Sequence, residues 1–219
     1  MPRPSYLIIG ASGHGAVVAD AMPPGALLGF LDDATECPSM PRGYRRLGAI
    51  QDLARLLTSH PEAEVVVAIG DNFLREKIAA MLRSTAPGVR FGTVVHRSAT
   101  VSPAASVAKG AVICAGAVVG PGASVGAHAI LNTNASLDHH SSLGSFASMA
   151  PGSATGGGVV IGDRTHIGMG VMIHHGVTVG CDAVVGSLSL VDKALPDNVV
   201  AVGSPARILR ERTTGEKYL

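Results

Sequence analysis

Between Val95 and Val191 an aliphatic side chain returns at every sixth residue. The series runs Val95, Val101, Val107, Ile113, Val119 and so on to Val185 and Val191, and only Thr155 breaks it. Two residues before each member stands a small or β-branched residue, from Ala99 to Ser189, and the residue after is often glycine, as at Gly120, Gly126, Gly144, Gly162 and Gly180. A six-residue period fits neither an amphipathic helix nor a simple alternating strand. It is the pattern of a parallel β-helix, in which three hexapeptides close one triangular coil of eighteen residues. The run makes about five coils, stacked roughly 4.8 Å apart at strand spacing. The phase never slips, so no long loop is inserted. This hexapeptide class winds left-handed, against the usual crossover rule, and its flat outer faces suit packing into a trimer.

The first 92 residues alternate differently. Tyr6-Leu-Ile-Ile9 reads as a short buried strand, followed by Gly10-Ala-Ser-Gly-His-Gly15 and a helix expected from Ala16 to Met22, where Pro23-Pro24 stops it. Leu27 to Leu31 is a second strand ending at Asp32-Asp33, Ile50 to His60 a helix, Glu64 to Gly70 a third strand, and Asn72 to Ser84 a further helix. Strands alternating with helices predict a parallel Rossmann-like α/β unit, too short for a complete two-half dinucleotide fold. The expected organisation is an α/β Rossmann-like domain over 1–92, a left-handed parallel β-helix over 93–192 and a tail over 193–219 that ends in a charged, helix-like stretch.

Composition narrows the picture in three ways. Aromatics make up only 3% of the chain, with 28 Gly and 13 Pro, which suits a thin aliphatic solenoid core and not a large globular one. The net charge of +1 gives no electrostatic footprint for nucleic acid. Cys37, Cys114 and Cys181 lack paired spacing, which points to a reducing compartment. No leader pattern precedes the first strand and no apolar run approaches membrane length, so a cytoplasmic protein without membrane insertion is expected.

Candidate chemistry begins in the first unit. Gly10, Ser12, Gly13, His14 and Gly15 follow a strand and open a helix, where glycines let a phosphate approach the backbone and helix N–H groups favour the anion. Glycines also simply make turns, so the motif gains weight from its neighbours. Asp32 and Asp33 end the second strand, where an acid can accept hydrogen bonds from a ribose or a base edge. Gly70, Asp71 and Asn72 end the third. Three strand ends converging on one crevice is the usual ligand position in an open α/β sheet.

The ordered set of motifs is more specific than any one of them. Gly10-x-x-Gly13-His14-Gly15, Ile69-Gly-Asp-Asn72 with Arg75, Leu131-Asn-Thr133 leading into Asp138-His139, and Gly203-Ser-Pro-Ala-Arg207 follow one another over nearly the whole chain. In this the chain resembles the bacterial nucleotide-sugar acyltransferases of the PglD/NeuD type. The resemblance implies a homotrimer that moves acetyl from acetyl-CoA to an amino or hydroxyl group of a nucleotide-linked sugar destined for surface glycans. It implies His139 as general base, a role suited to an imidazole with a near-neutral pKa, and CoA contacts near Gly157, Met169 and Ser187.

Two departures stand out. The residue after the base in this family is usually an acid, and here it is His140. Asp138 precedes the base, but neighbouring strand residues face opposite ways. Asp138, His139 and His140 together are the candidate catalytic residues. At Ser148 relatives can carry a histidine that contacts CoA; His166 lies one coil further on the same face. Ser148, Gly157, His166, Met169 and Ser187 are therefore the candidate cofactor-binding residues, acetyl-CoA the expected co-substrate, and an aminosugar joined to a nucleotide the expected partner.

Other readings stay open at this level. O-acylation differs only in the acceptor atom. A trimeric nucleotide-sugar-binding scaffold without catalysis fits the non-standard His139-His140 pair. A zinc hydrase is suggested by His139 and His175 two coils apart, but the expected third ligand position is Gly180, and no metal is expected for the chemistry. A serine acetyltransferase would carry a helical N-terminal region, and a nicotinamide enzyme a second βαβ half.

Overall fold

The computed structural model describes residues 5–37, 40 and 43–218. Its first unit is a four-stranded, wholly parallel sheet built from β1 (Tyr6–Ile9), β2 (Leu27–Leu31), β3 (Arg46–Gly48) and β4 (Glu64–Val67), in the order β3-β2-β1-β4. The strand β3 was not expected from the sequence. Its outward residues are only half-buried, and a three-residue edge strand carries too few apolar positions to announce itself. Side chains of the central strand alternate between two cores, as the pleat requires. Tyr6 and Ile8 pack with helix α1 (Gly13–Ala21), and Leu7 and Ile9 pack with α2 (Leu53–Ser59) and α3 (Asn72–Thr85). A 3-10 turn at Ile50–Asp52 precedes α2.

Helix α1 begins three residues before the expected start, so Gly13, His14 and Gly15 form its first turn. Glycine is a poor helix former, which masks that turn in the sequence. Gly15 is required there for space: a methyl group at that position would run into the Gly10 carbonyl.

From Val94 the chain winds as a left-handed β-helix of two-residue strands, each pairing in parallel with the strand eighteen residues later. The strands form three faces. A long face carries Val94–Val95, Val112–Ile113, Ile130–Leu131, Ser148–Met149, His166–Ile167 and Val184–Val185. A six-stranded face runs from Thr100–Val101 to Leu190–Val191, and a five-stranded face from Ser106–Val107 to Thr178–Val179. The sixth-residue series fills the interior, where Ile113, Leu131, Leu137, Ile167 and Val191 are fully buried.

The turns use two different columns of residues. Those in the left-handed region also recur every sixth position, from Gly110 through His128, Asn134, His140 and Phe146 to Asp182 and Leu188. The glycines that follow the aliphatic residues serve close approach instead: a methyl at Gly126 would meet the backbone of Gly144 and Ser145 in the next coil.

The α/β unit sits on the lower coils of the long face. Val94, Val112 and Ile130, which point outward from the solenoid, are buried with Val18 and Ala19 of α1 and with Met22 just past its end. The expected helical end of the tail is absent among the described residues. Val199–Val202 and Arg207–Glu211 form an antiparallel hairpin that extends the long face. The helix-like charge pattern there is the exposed edge of a strand pair. Leu219 lies outside the described residues.

Candidate active site

Arg75 ties the two units together and thereby fixes the floor of the site. It lies on α3, is 1% exposed, and uses all five N–H donors. Nε donates to the His128 carbonyl (2.9 Å), Nη1 to the carbonyls of Ile69 (2.7 Å) and Gly70 (3.1 Å), and Nη2 to Asn72 Oδ1 (2.7 Å) and the Phe146 carbonyl (2.8 Å). Among the described residues no carboxylate pairs with it. Burial lowers its pKa to about 10, yet carbonyl dipoles keep the guanidinium charged near neutral pH.

Asn72 belongs to this joint and not to a ligand site. Its side-chain nitrogen donates to the carbonyls of Arg164 (3.0 Å) and Thr165 (3.1 Å), its side-chain oxygen accepts from Arg75, and the residue is 1% exposed. The expectation that Asn72 contacts substrate is thereby corrected: its amide is fully engaged against the solenoid. Asp71 caps α3, its Oδ1 accepting from Leu74 N at 2.8 Å. Asp32 likewise holds backbone, accepting from Ala11 N (2.7 Å) and Ala34 N (2.9 Å), and Asp33 accepts from Ile50 N (3.0 Å). Asp32 thus pins the glycine loop from the neighbouring strand end.

Above this joint the long face is uncovered, and a cleft of about 400 Å³ opens there. The α/β unit contributes His14 and Gly70, and the solenoid contributes Asn132, Ser148, His166, Met169 and Ser187. Four of the five expected cofactor-binding residues therefore share one cleft with two of the expected substrate-binding ones. Gly10, Ser12, Gly13 and Gly15 shape the loop and first helical turn that present His14, and do not line the cleft themselves. The His14 Nε2 is shut off from solvent and has no hydrogen-bond partner among the described residues. Burial, helped by the charge of Arg75, lowers the His14 pKa to about 4, so this imidazole is neutral at neutral pH.

His166 takes the same state for the same reasons, its pKa lowered to about 4 by burial and then by Arg75. Its Nδ1 lies 2.9 Å from the Ser148 hydroxyl, and its ring packs on Tyr218 with centroids 4.6 Å apart. Asn132 and Tyr218 were not among the expected site residues. Asn132 stands in the Leu131-Asn-Thr133 motif, a signal available in the sequence. Tyr218 stands in a charged tail with no pattern to mark it.

His139 lies elsewhere. It sits in the turn between Ser136–Leu137 and Ser142–Leu143, where the six-stranded face meets the five-stranded one. The cleft belongs to the third face. The strand ends of the α/β unit and His139 of the same chain thus stand at different faces of the solenoid. His139 is exposed, and its Nδ1 faces the Nδ1 of exposed His140 at 3.1 Å. Asp138 does not touch the ring; its Oδ1 accepts the backbone N–H of His139 at 2.6 Å, and its own N–H donates to Thr155 Oγ1. Gly157 lies one coil up in the same corner, and any side chain there would overlap the His139 imidazole. Gly157 therefore groups with His139 and not with the other four cofactor candidates. His175 follows in the same column, but among the described residues no three His, Cys, Asp or Glu side chains cluster as a metal set. No described helix is long and apolar enough to cross a membrane.

Comparison with known proteins gives this geometry a context. The PglD N-terminal domain family model matches residues 6–82. Among solved structures, an alanine variant of GDP-perosamine N-acetyltransferase from Caulobacter crescentus, in complex with CoA and GDP-perosamine, is 32% identical. The match covers 96% of this chain and 99% of that one, with a TM-score of 0.86. The acetyltransferase domain of PglB from Neisseria gonorrhoeae, in complex with acetyl coenzyme A, is 31% identical over 95% of this chain and 100% of that one, with a TM-score of 0.84. WeeI from Acinetobacter baumannii, 23% identical over 94% of this chain and 100% of that one with a TM-score of 0.68, shares the fold. A search of curated protein sequences finds no match.

Proposed function

The chain belongs to the PglD/NeuD-type nucleotide-sugar acetyltransferases and is a CoA-dependent acyltransferase, and on that premise we propose that it moves acetyl from acetyl-CoA to the amino group of a nucleotide-linked 4-amino-4,6-dideoxy sugar, for surface glycan assembly in the cytoplasm. The observation that carries this reading is the cleft in which His14 and Gly70 of the α/β unit meet Ser148, His166, Met169 and Ser187 of the solenoid. A nucleotide sugar entering over the glycine loop and a CoA arm lying along the solenoid edge would meet there. The relative from Caulobacter is described with both kinds of ligand, CoA and a nucleotide aminosugar.

In the proposed reaction the sugar amine attacks the thioester carbonyl carbon. The tetrahedral intermediate collapses with cleavage of the C–S bond and release of the CoA thiol. His139 takes the proton that the amine loses and returns one to the departing sulfur. Its Nε2 is the basic atom when Nδ1 carries hydrogen toward His140. No covalent enzyme intermediate is needed; burial pushes the Cys114 thiol up to about 12, far from a nucleophilic thiolate.

The active unit in this reading is a homotrimer. His139 and the cleft lie on different parts of one triangular coil, so a second subunit supplies the base to each cleft. Exposed Val118 and Met172 on the six-stranded face and Val160 on the five-stranded face provide apolar surface for that packing.

The test is thiol release from acetyl-CoA with UDP-, GDP- and dTDP-linked 4-amino sugars, with His139→Ala as control. Release with one nucleotide class, falling by about 10² or more in the variant, supports the reading. No release with any of them refutes it.

A further inference from the structure

We infer that Tyr218 is a positioning and specificity-determining residue for the acceptor sugar, held as a wall of the cleft between Gly70 and His166 by a turn built from residues 212–218. This inference rests on the proposed function, in which the nucleotide sugar enters this cleft over the glycine loop and meets CoA there.

The turn is constructed and not loosely draped. Arg212 is 8% exposed; its Nη1 donates to the Asp182 carbonyl (2.6 Å), its Nη2 to the Glu216 carbonyl, and its N–H to the Asn198 carbonyl (2.9 Å). Glu216 closes the turn, its N–H donating to the Thr213 carbonyl (3.0 Å) and its Oε1 accepting from Arg210 (2.6 Å). Gly215 adopts a φ of +82° and lies against Phe73 of α3, where any side chain would overlap that ring. The backbone is therefore folded back onto the first unit at one defined place.

The result is an aromatic ring held from three directions. His166 packs against it at 4.6 Å, the Arg212 guanidinium lies 5.7 Å from its centroid, and its hydroxyl accepts the Asn72 backbone N–H at 3.0 Å. That last bond joins it to the Gly70-Asp71-Asn72 strand end, the α/β side of the cleft. Tyr218 also lines the cavity. A tyrosine so placed does two things. It keeps water off His166, which leaves that imidazole oriented by the Ser148 hydroxyl. It also bounds the space next to Gly70, so it reads the size of the group that extends from the glycine loop. Ser148 and His166, expected as CoA contacts, thereby move to the acceptor side of the cleft beside Tyr218, and CoA is left to Met169 and Ser187, which line the same cleft on the turns leading to the six-stranded face.

The experiment compares wild type, Tyr218→Phe and Tyr218→Ala in steady state, varying acceptor and acetyl-CoA separately. Tyr218→Ala is expected to raise the KM for the aminosugar by about tenfold with the KM for acetyl-CoA changed less than about twofold. Tyr218→Phe, which keeps the ring, is expected to stay within about threefold of wild type. An unchanged acceptor KM in Tyr218→Ala, or an equal rise for both co-substrates, overturns the inference. A second readout needs no turnover: the His166 ring resonances followed by NMR against pH. Loss of the Tyr218 ring must move that titration from about 4 toward the ordinary histidine range. An unmoved titration overturns the positioning role even if the acyl acceptor is never identified, and a moved one supports it even then, whereas absence of thiol release with every sugar counts against the proposed reaction alone.

Discussion

The imidazoles of His139 and His140 meet Nδ1 to Nδ1 at 3.1 Å, at an interplanar angle of 81°. Only one hydrogen can occupy that contact, so one ring donates and the other accepts. A hydrogen on both facing atoms at once would bring N–H against N–H across that distance. Where the family resemblance leads one to expect an acid beside the base, this chain has a second imidazole.

Replacing His140 by Asp tests that difference. The residue sits at φ +56°, a left-handed position that Asp tolerates better than most side chains. A carboxylate facing Nδ1 stabilises the imidazolium, so the acid limb of the pH–rate profile is expected to move to higher pH, by about one unit. An unmoved limb means residue 140 does not tune the base.

Gly157→Ala probes the same imidazole without altering it. Gly157 is not among the positive-φ residues, so alanine brings no backbone strain, but its methyl group would occupy the His139 ring position. The ring must swing aside. We expect kcat to fall by about tenfold or more, since small misplacements of catalytic groups are costly. Thermal stability and oligomeric state should stay near wild type, and full activity would show that the observed ring position is not the working one.

Arg75→Met removes the joint between the units. It leaves the carbonyls of His128, Ile69, Gly70 and Phe146 and the Asn72 side chain without their donor. Unsatisfied buried acceptors cost about 1–3 kcal/mol each before relaxation, so a loss of roughly 3 kcal/mol or more is expected in denaturant unfolding. A loss below about 1 kcal/mol would mean that water replaces the guanidinium and the joint is less dry than its burial indicates.

The sequence announced the solenoid because each coil repeats one spacing problem: an aliphatic residue inward, a small one before the strand, a close approach after it. Local units such as β1 with its glycine loop were legible for a similar reason. Relationships between units were not. Asn72 looked like a strand-end ligand residue because nothing in the chain indicates that His128, Phe146 and Arg164 will arrive beside it. The aromatic trio of Phe91, His128 and Phe146 is scattered over three stretches and assembles only in the fold. The tail read as helical from its charges alone, since an exposed hairpin edge and an exposed helix look alike over a few polar residues. Tyr218 had no pattern at all, because its place is set by Arg212, Gly215 and Glu216 bonding to distant partners.

Acid should destabilise the protein through its neutral histidines. His14, His128 and His166 each have a pKa lowered to about 4, burial being the main cause, from an unfolded value of 6.5. Above 6.5 both states are unprotonated and the folded state keeps its full advantage. Between 6.5 and 4 the unfolded chain takes up protons that the folded one refuses, so stability falls as pH falls. His128→Phe isolates one share of this. His128 stacks on Phe146, which holds the same left-handed turn position one coil up at φ +57°, so the fold already accepts phenylalanine there. The urea midpoint of wild type should drop from pH 7 to pH 5, with a smaller drop in the variant. Equal drops would show that His128 does not titrate as its burial requires.

The separation of His139 from the cleft predicts a particular arithmetic in mixed oligomers. One parent carries His139→Ala with an open cleft. The other keeps His139 but carries Ser148→Trp, whose indole fills the cleft floor. Each parent alone is inactive. If every site lies within one chain, mixing restores nothing, because no chain holds both parts. If each site in a cyclic trimer pairs one subunit's cleft with the next subunit's His139, any mixed trimer contains one working site of three. Refolding equal amounts together places about three quarters of the trimers in mixed forms, so activity should return to about one quarter of wild type. The readout is thiol release normalised to trimer concentration by sedimentation. A return near one quarter supports both the trimer and the shared site, while no return from trimers that demonstrably mixed would require His139 to reach the cleft of its own chain by a rearrangement of the solenoid corner.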